Sequence, residues 1–340
     1  MAKNKLSRRA FLQGTGRWLT VGGAALAINE FLPPGLSYAI GARGIEDGPL
    51  LVVCTFNGAW DQLLALDPRD NTKYTMESAI QPAYDYVASG DAEVGKVLQD
   101  TGGTGIIQPK GSKIAFGPAI GRLADYYADL CVFRGIAMDT VTHSKGRRYF
   151  LTGKFPRGTQ ASGSALGSWF AAQRGDLTPL PNLVVGMESY NEGLDAFATG
   201  LRVTNWEDLG LLLSPLGKAL PDAARSAVDA YALAPDCLGD SLDGSGIVST
   251  FRASKIKAAQ VAQSGLSEHF LFTAKPSAEV AALYKAFNVN TNKIYSELAG
   301  PKGRAMVAAQ ALASGASQAV SIGLVGGIDT HAEDYIDDHG

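Results

Sequence analysis

The run Leu50-Leu51-Val52-Val53-Cys54-Thr55-Phe56 is almost continuously apolar and is closed off by Gly48-Pro49 on one side and Asn57-Gly58 on the other. A run so bounded reads as a strand covered on both faces, which is the condition of strands in a parallel sheet. The remaining patterns supply the cover. Ile120, Leu123, Ala124, Tyr127 and Leu130 recur at helical spacing, and Cys131-Val132-Phe133-Arg134-Gly135-Ile136 follows as a second predicted strand. Ser164 to Gln173 predicts a short helix ahead of a strand at Leu183-Val184-Val185-Gly186, and Gly303 to Ala313 a helix ahead of a strand from Ala319 to Val325. Residues 217–290 carry only helical patterns, at Ala223 to Leu233, Ile256 to Phe272 and Ala278 to Phe287, and read as a helical insertion. Asp236 to Gly246 is a loop, and no internal repeat is visible. The expected fold class is α/β, a mostly parallel sheet flanked by helices, with residues 40–340 forming a single domain.

Composition narrows the function classes. With 46% hydrophobic and 19% charged residues in 340, the chain buries a large core and is not disordered. Its 40 glycines show no repeating period and prolines number only 15, which removes collagen-like and low-complexity readings.

Residues 1–39 read as a twin-arginine signal peptide. Ser7-Arg8-Arg9-Ala10-Phe11-Leu12-Gln13 is the arginine pattern, Trp18 to Ile28 the apolar stretch, and Ser37-Tyr38-Ala39 the small-residue site where a signal peptidase is expected to cut. The apolar stretch is 11 residues, against about 20 for a membrane-spanning helix, so no permanent membrane anchor is expected. The expected partners are the twin-arginine export machinery and signal peptidase, and the expected location is the periplasm or the cell exterior. This leader carries +4, which leaves −7 on the rest of a chain whose total is −3. That balance disfavours nucleic acid as a partner. Export by this route moves chains already folded, so a metal would be acquired before export. Cys54, Cys131 and Cys237 are an odd set for an oxidising compartment. They read as buried inert thiols, with a disulfide as the alternative.

Open parallel sheets gather ligands beyond the carboxyl ends of their strands, so polar residues just after each predicted strand are the candidates. Asn57-Gly58-Ala59-Trp60-Asp61 follows the first strand; Asp61 either caps a short helix at Gln62 to Leu66 or reaches a ligand as a carboxylate. Thr140-Val141-Thr142-His143-Ser144-Lys145-Gly146-Arg147-Arg148 follows the second, and Tyr149 to Gly153 continue it. Hydroxyls opening a helix between basic side chains can meet an anion or serve as a nucleophile, or they can simply cap the helix. Gly326-Gly327-Ile328-Asp329-Thr330-His331 follows the last strand. Asp329 and His331 are first-choice ligands for a divalent cation such as zinc, manganese, iron or calcium, or they belong to a solvated acidic segment. His269, inside a helical pattern, reads as a satisfied interfacial histidine.

Taken in order, Leu51-Val52-Val53 to Asp61, Ile120 to Val132, Thr142-His143-Ser144 to Thr152-Gly153, and Gly327-x-Asp329-Thr330-His331 resemble the bacterial family called domain of unknown function 1501. Its members commonly carry a twin-arginine leader and are related in fold to sulfatases and alkaline phosphatases. The resemblance runs from about Leu50 to the last residue. It implies a metal-dependent hydrolase of phosphate or sulfate esters, with a small anionic ester as substrate. Asp61, Asp329 and His331 would hold the metal, Thr142 or Ser144 would be the nucleophile, and Lys145 or Arg147 would receive the anion. Counted back from Thr152-Gly153, the position of a sulfatase's modified cysteine falls on His143. No cysteine lies in a Cys-x-Pro-x-Arg or Cys-x-Ala-x-Arg context, so no formylglycine is expected. In such relatives further strands follow the Asp/His pair, so with Gly340 as its last residue the chain is expected to lack the closing C-terminal strands, as a truncated product or one completed by another chain. The rival expectation is a non-catalytic exported protein that keeps the fold and binds a partner.

Overall fold

Asn182–Val185 is a strand with all four residues buried. The computed structural model describes residues 48–58, 61–74, 82–213 and 266–328, with isolated positions between 221 and 261. Among them are strands β1 (Leu51–Gly58), β2 (Asn182–Val185), β3 (Leu201–Val203) and β4 (Ala319–Ile328), in the order β1-β4-β2-β3. β2 is parallel to both neighbours, with Leu183 opposite Leu201 of β3 and Val320 of β4. The chain is an α/β protein with a mostly parallel sheet. Its described α-helices are α1 (Tyr84–Gly90), α2 (Ala92–Asp100), α3 (His143–Thr152), α4 (Leu166–Arg174), α5 (Trp206–Leu213), α6 (Ala278–Ala286), α7 (Ile294–Leu298) and α8 (Pro301–Ala313). No helix among the described residues is long and apolar enough to cross a membrane.

The chain divides into two compact units, Met1–Thr55 with Arg148–Leu324, and Phe56–Arg147 with Val325–Gly340. In the first, the period of two along β2 sends alternate side chains to opposite faces. Leu183 and Val185 enter a cluster with Leu209 of α5, Leu283 of α6, Leu298 of α7 and Met306 and Val307 of α8. Val184 meets Leu151 of α3 and Met187 on the other face. Each such aliphatic side chain, fully buried, stabilises by about 1.5–3 kcal/mol. α8 begins with Pro301, whose fixed φ suits the first helical position, and stops at Ser314, before Gly315 with φ 70°.

The second unit has smaller cores. Leu64, Tyr84, Val87, Val94 and Leu98 form one, and Ala65, Phe116, Ile120 and Ala124 another. Asp91 caps α2 by accepting from the Glu93 and Val94 amides at 2.7 and 3.1 Å. The Gly117 amide donates to Ala65 O at 2.7 Å, and a Cβ there would fall 2.3 Å from Leu64 O, so no larger residue fits.

Five local expectations change. Cys131–Ile136 is not a strand: Gly135 has φ 71°, the Arg134 side chain turns back to Leu66 O and Ala115 O, and Phe133 and Ile136 are exposed. An apolar run needs a ladder partner to become a strand, and this one has none among the described residues. β1 is covered on one face only. Val53 and Thr55 are buried while Val52, Cys54 and Phe56 are exposed, as alternation along a one-sided strand requires. The thiols of Cys54 and Cys131 are therefore free but exposed, not buried. The helix at Gln62 to Leu66 is a turn in which the Ala65, Leu66 and Asp67 amides share Gln62 O, and Gly121–Asp129 is a 3-10 helix broken at Tyr126. Cys237, the leader, the loop at 236–246 and most of the predicted helices between 223 and 265 lie outside the described residues.

Candidate functional site

The candidate residues that the structure describes all belong to the second unit. β1 delivers Asn57 and Gly58 at its carboxyl end, where Gly58 leaves with φ 131°, a value glycine tolerates. Asp61 follows as a cap. Its Oδ1 accepts from the Leu63 amide at 2.7 Å and the Leu64 amide at 3.2 Å. Those bonds occupy one carboxylate oxygen and fix the turn on which the other is presented. The turn is held from below by Tyr84, whose hydroxyl donates to Leu63 O at 2.6 Å and accepts from the Arg69 amide at 3.1 Å. Burial pushes the Tyr84 phenol up to about 12.

The polar stretch before α3 begins with Thr140, whose Oγ1 accepts from the Thr142 amide at 3.1 Å. Thr142 O in turn accepts from the Gly146 amide at 2.9 Å, closing the first turn of the helix. Thr142 and His143 are exposed, and Ser144, Lys145 and Arg147 are half-buried. Thus residues 142–147, at the start of α3, carry two hydroxyls, an imidazole and two cations, beside amides that point toward the same end. Arg147 reaches across 90 residues of sequence to Asn57, Nη1 to Oδ1 at 3.5 Å. This long contact is the link between the α3 residues and the carboxyl end of β1.

Asp329 and His331 lie outside the described residues. Among the described residues, no group of three or more His, Cys, Asp or Glu side chains gathers as a metal site. Asp61 is the described member of the expected ligand set. Comparison with protein-family models, with curated proteins and with solved structures gives no match.

Arg148, beside Arg147 in sequence, has a different role in the first unit. Its Nη2 lies 3.4 Å from Glu188 Oε1 and its Nε donates to Tyr190 OH at 3.1 Å. Tyr190 OH donates to Glu188 Oε2 at 2.6 Å. Burial first, and the bond to Glu188 second, push the Tyr190 phenol up. Arg148, which also donates to Thr159 O, is spent in this network. His269 is satisfied as the helical pattern implied, with Nδ1 2.9 Å from Glu279 Oε2. Sequence reasoning gave no part to Asn57. Its place immediately after an apolar strand was the available signal, since that is where parallel sheets present ligand-binding groups.

Proposed function

We propose that the chain is an exported, metal-dependent hydrolase of phosphate or sulfate esters, of the kind its resemblance to the domain of unknown function 1501 family implies. Asp61, Asp329 and His331 would hold a divalent cation, which would polarise the ester oxygen and lower the pKa of a bound nucleophile. Thr142 or Ser144 would attack, and Lys145 and Arg147 would receive the anion. The observation that supports this reading most is the approach of Arg147 to Asn57, four residues before Asp61. It brings the basic stretch of α3 to the strand end that carries the first expected ligand. The twin-arginine leader, export to the periplasm or beyond, and cleavage after Ala39 belong to the same proposal.

The test is metal content of the purified chain, followed by release of p-nitrophenol from its phosphate and sulfate esters. Equimolar metal and metal-dependent turnover, both lost in the Asp329→Ala, His331→Ala double variant, are the expected result. Absent metal and absent turnover in the folded protein overturn it.

A second reading, an exported partner-binding protein without catalysis, is favoured by one feature. Phe133, Ile136 and Val141 stand 70%, 66% and 100% exposed along a single stretch beside the candidate residues. Exposed apolar side chains in such density mark interaction surfaces more often than active sites.

A further inference from the structure

We propose that Arg304 and the turn at Gly186 form an oxyanion-binding site at the carboxyl end of β2, taking a carboxylate, phosphate or sulfate group. The site lies wholly in the first unit and is independent of the ester-hydrolase reading.

The site begins with two missing side chains. β2 ends at Val185, and Gly186 turns away with φ 66°, a left-handed conformation suited to glycine. Val185 is opposite Ile322, so the next residue along β4 is Gly323. A Cβ on Gly323 would stand 2.6 Å from Gly186 O, and a Cβ on Gly186 would stand 2.9 Å from Arg304 Nε and 3.0 Å from its Cζ. The guanidinium of Arg304, the fourth residue of α8, fills the space these glycines leave. Its Nη1 donates to Gly323 O at 2.6 Å. The cation is thereby fixed where a strand of a parallel sheet stops and its longer neighbour continues, the place where such sheets collect ligands.

Among the described residues its charge has no counter-ion. Among the described residues, Arg304 makes the one hydrogen bond to Gly323 O and no ion pair. Two cations of the same unit are matched by carboxylates: Lys302, two residues earlier, by Glu297, and Arg148 by Glu188. A guanidinium has five N–H donors in a planar fork, and a single carbonyl takes one of them. Arg304 is half-buried, and none of its nitrogens is buried without a partner, so the remaining donors open outward. An oxyanion completes the arrangement, because a planar fork and a carboxylate or phosphate edge pair through two parallel bonds. The same residue also braces α8 against β4, so the experiment has to separate bracing from binding.

The full chain is titrated calorimetrically at low ionic strength with inorganic phosphate, sulfate and acetate, and its fold is followed by circular dichroism. Saturable binding is expected, with one equivalent of it weakened at least ~10-fold in Arg304→Met, which keeps the stem but loses the fork. Gly186→Ala is expected to weaken it as well, because the added Cβ displaces the guanidinium while leaving its charge. If Arg304→Met fails to fold, Arg304→Lys keeps stem and charge and is expected to bind more weakly through loss of the bidentate edge. Preference for phosphate or sulfate over acetate assigns a tetrahedral anion; the reverse assigns a carboxylate. The equivalent that is weakened in the Arg304 variants is expected to persist in Arg147→Gln, whatever the fate of ester hydrolysis. No saturable binding in the wild type, unchanged binding in folded Arg304 variants, or binding abolished by Arg147→Gln instead overturns the proposal.

Discussion

Replacing Tyr84 by Phe removes one oxygen from the interior of the second unit and leaves the ring in place. That oxygen donates to Leu63 O at 2.6 Å and accepts from the Arg69 amide at 3.1 Å, so the variant leaves a half-buried carbonyl and amide without this partner at the turn presenting Asp61. The expected cost at pH 8 is about 1–3 kcal/mol, the penalty for leaving such groups unpaired. The phenol adds a pH signature. Its pKa rises from 10.0 to about 12 in the folded chain, with burial the leading cause. The unfolded chain therefore loses this proton near pH 10 and the folded chain only near 12, so between those values unfolding releases a proton and stability falls as pH rises. The contribution is fully present below pH 10, and up to roughly 3 kcal/mol of it disappears across the interval. Tyr84→Phe lacks that loss, so the gap between the two proteins should close toward pH 12. Tyr284, also raised to about 12 by burial, contributes equally to both proteins and cancels from the difference. The measurement is urea unfolding of both proteins from pH 8 upward, with amide exchange at Leu63, Leu64 and Val87 to follow this unit. A gap of the same size at pH 8 and at about pH 11.5 would refute the assignment of the alkaline loss to this buried phenol.

Two further outcomes are expected. Asp61→Asn retains an oxygen for the Leu63 and Leu64 amides and should unfold within about 0.5 kcal/mol of wild type, whereas Asp61→Ala should lose about 1 kcal/mol; both should lose metal-dependent turnover, and turnover retained in Asp61→Asn would remove Asp61 from the ligand set. The hydrogen bond from Arg69, then the charges of Arg69 and Arg134, hold the Asp67 carboxyl below its ordinary 3.8. Its stabilisation is therefore present above that value and lost as pH falls through and below it, so Asp67→Asn should cost at most about 1 kcal/mol at pH 6 and nothing once the carboxyl is protonated, as read by acid titration of both proteins.

The elements that can be read from the sequence are those whose burial pattern is also their pairing pattern. β2 and β4 are apolar runs flanked by helices with regular spacing, and the predicted strands at 183–186 and 319–325 fall on them. The helical patterns at Gly303 to Ala313 and Ala278 to Phe287 fall on α8 and α6; in the structure Pro301 opens the first, and Ser277 caps the second by accepting from the Val280 amide at 3.3 Å. β3 is only three residues long, below the length at which alternation can be counted. Cys131–Ile136 has the same apolar signature as β1, and hydrophobicity alone does not say whether a neighbouring strand will be present to take its amides. The one-sided exposure of β1 escapes for a related reason: a continuous run satisfies either a covered or a half-open strand, and only the packed chain distinguishes them.

The site is less legible than the fold because its chemistry depends on pairs remote in sequence. Lys145, Arg147 and Arg148 look alike as a basic flank to the Thr142–Ser144 hydroxyls, yet their charges have different fates. Arg148 is consumed by Glu188, 40 residues later, and by Tyr190, while Arg147 lies on a neutral amide oxygen at Asn57. An ion pair largely cancels a cation's charge at a distance. The capacity of a basic stretch to receive an anion is thus set by which of its members meet a carboxylate, and counting cations along the chain overstates it. Arg304 follows the same logic from the opposite direction. No motif surrounds it, and its proposed role rests on two glycines, one just past β2 and one in β4, and on the lack of a carboxylate partner among the described residues.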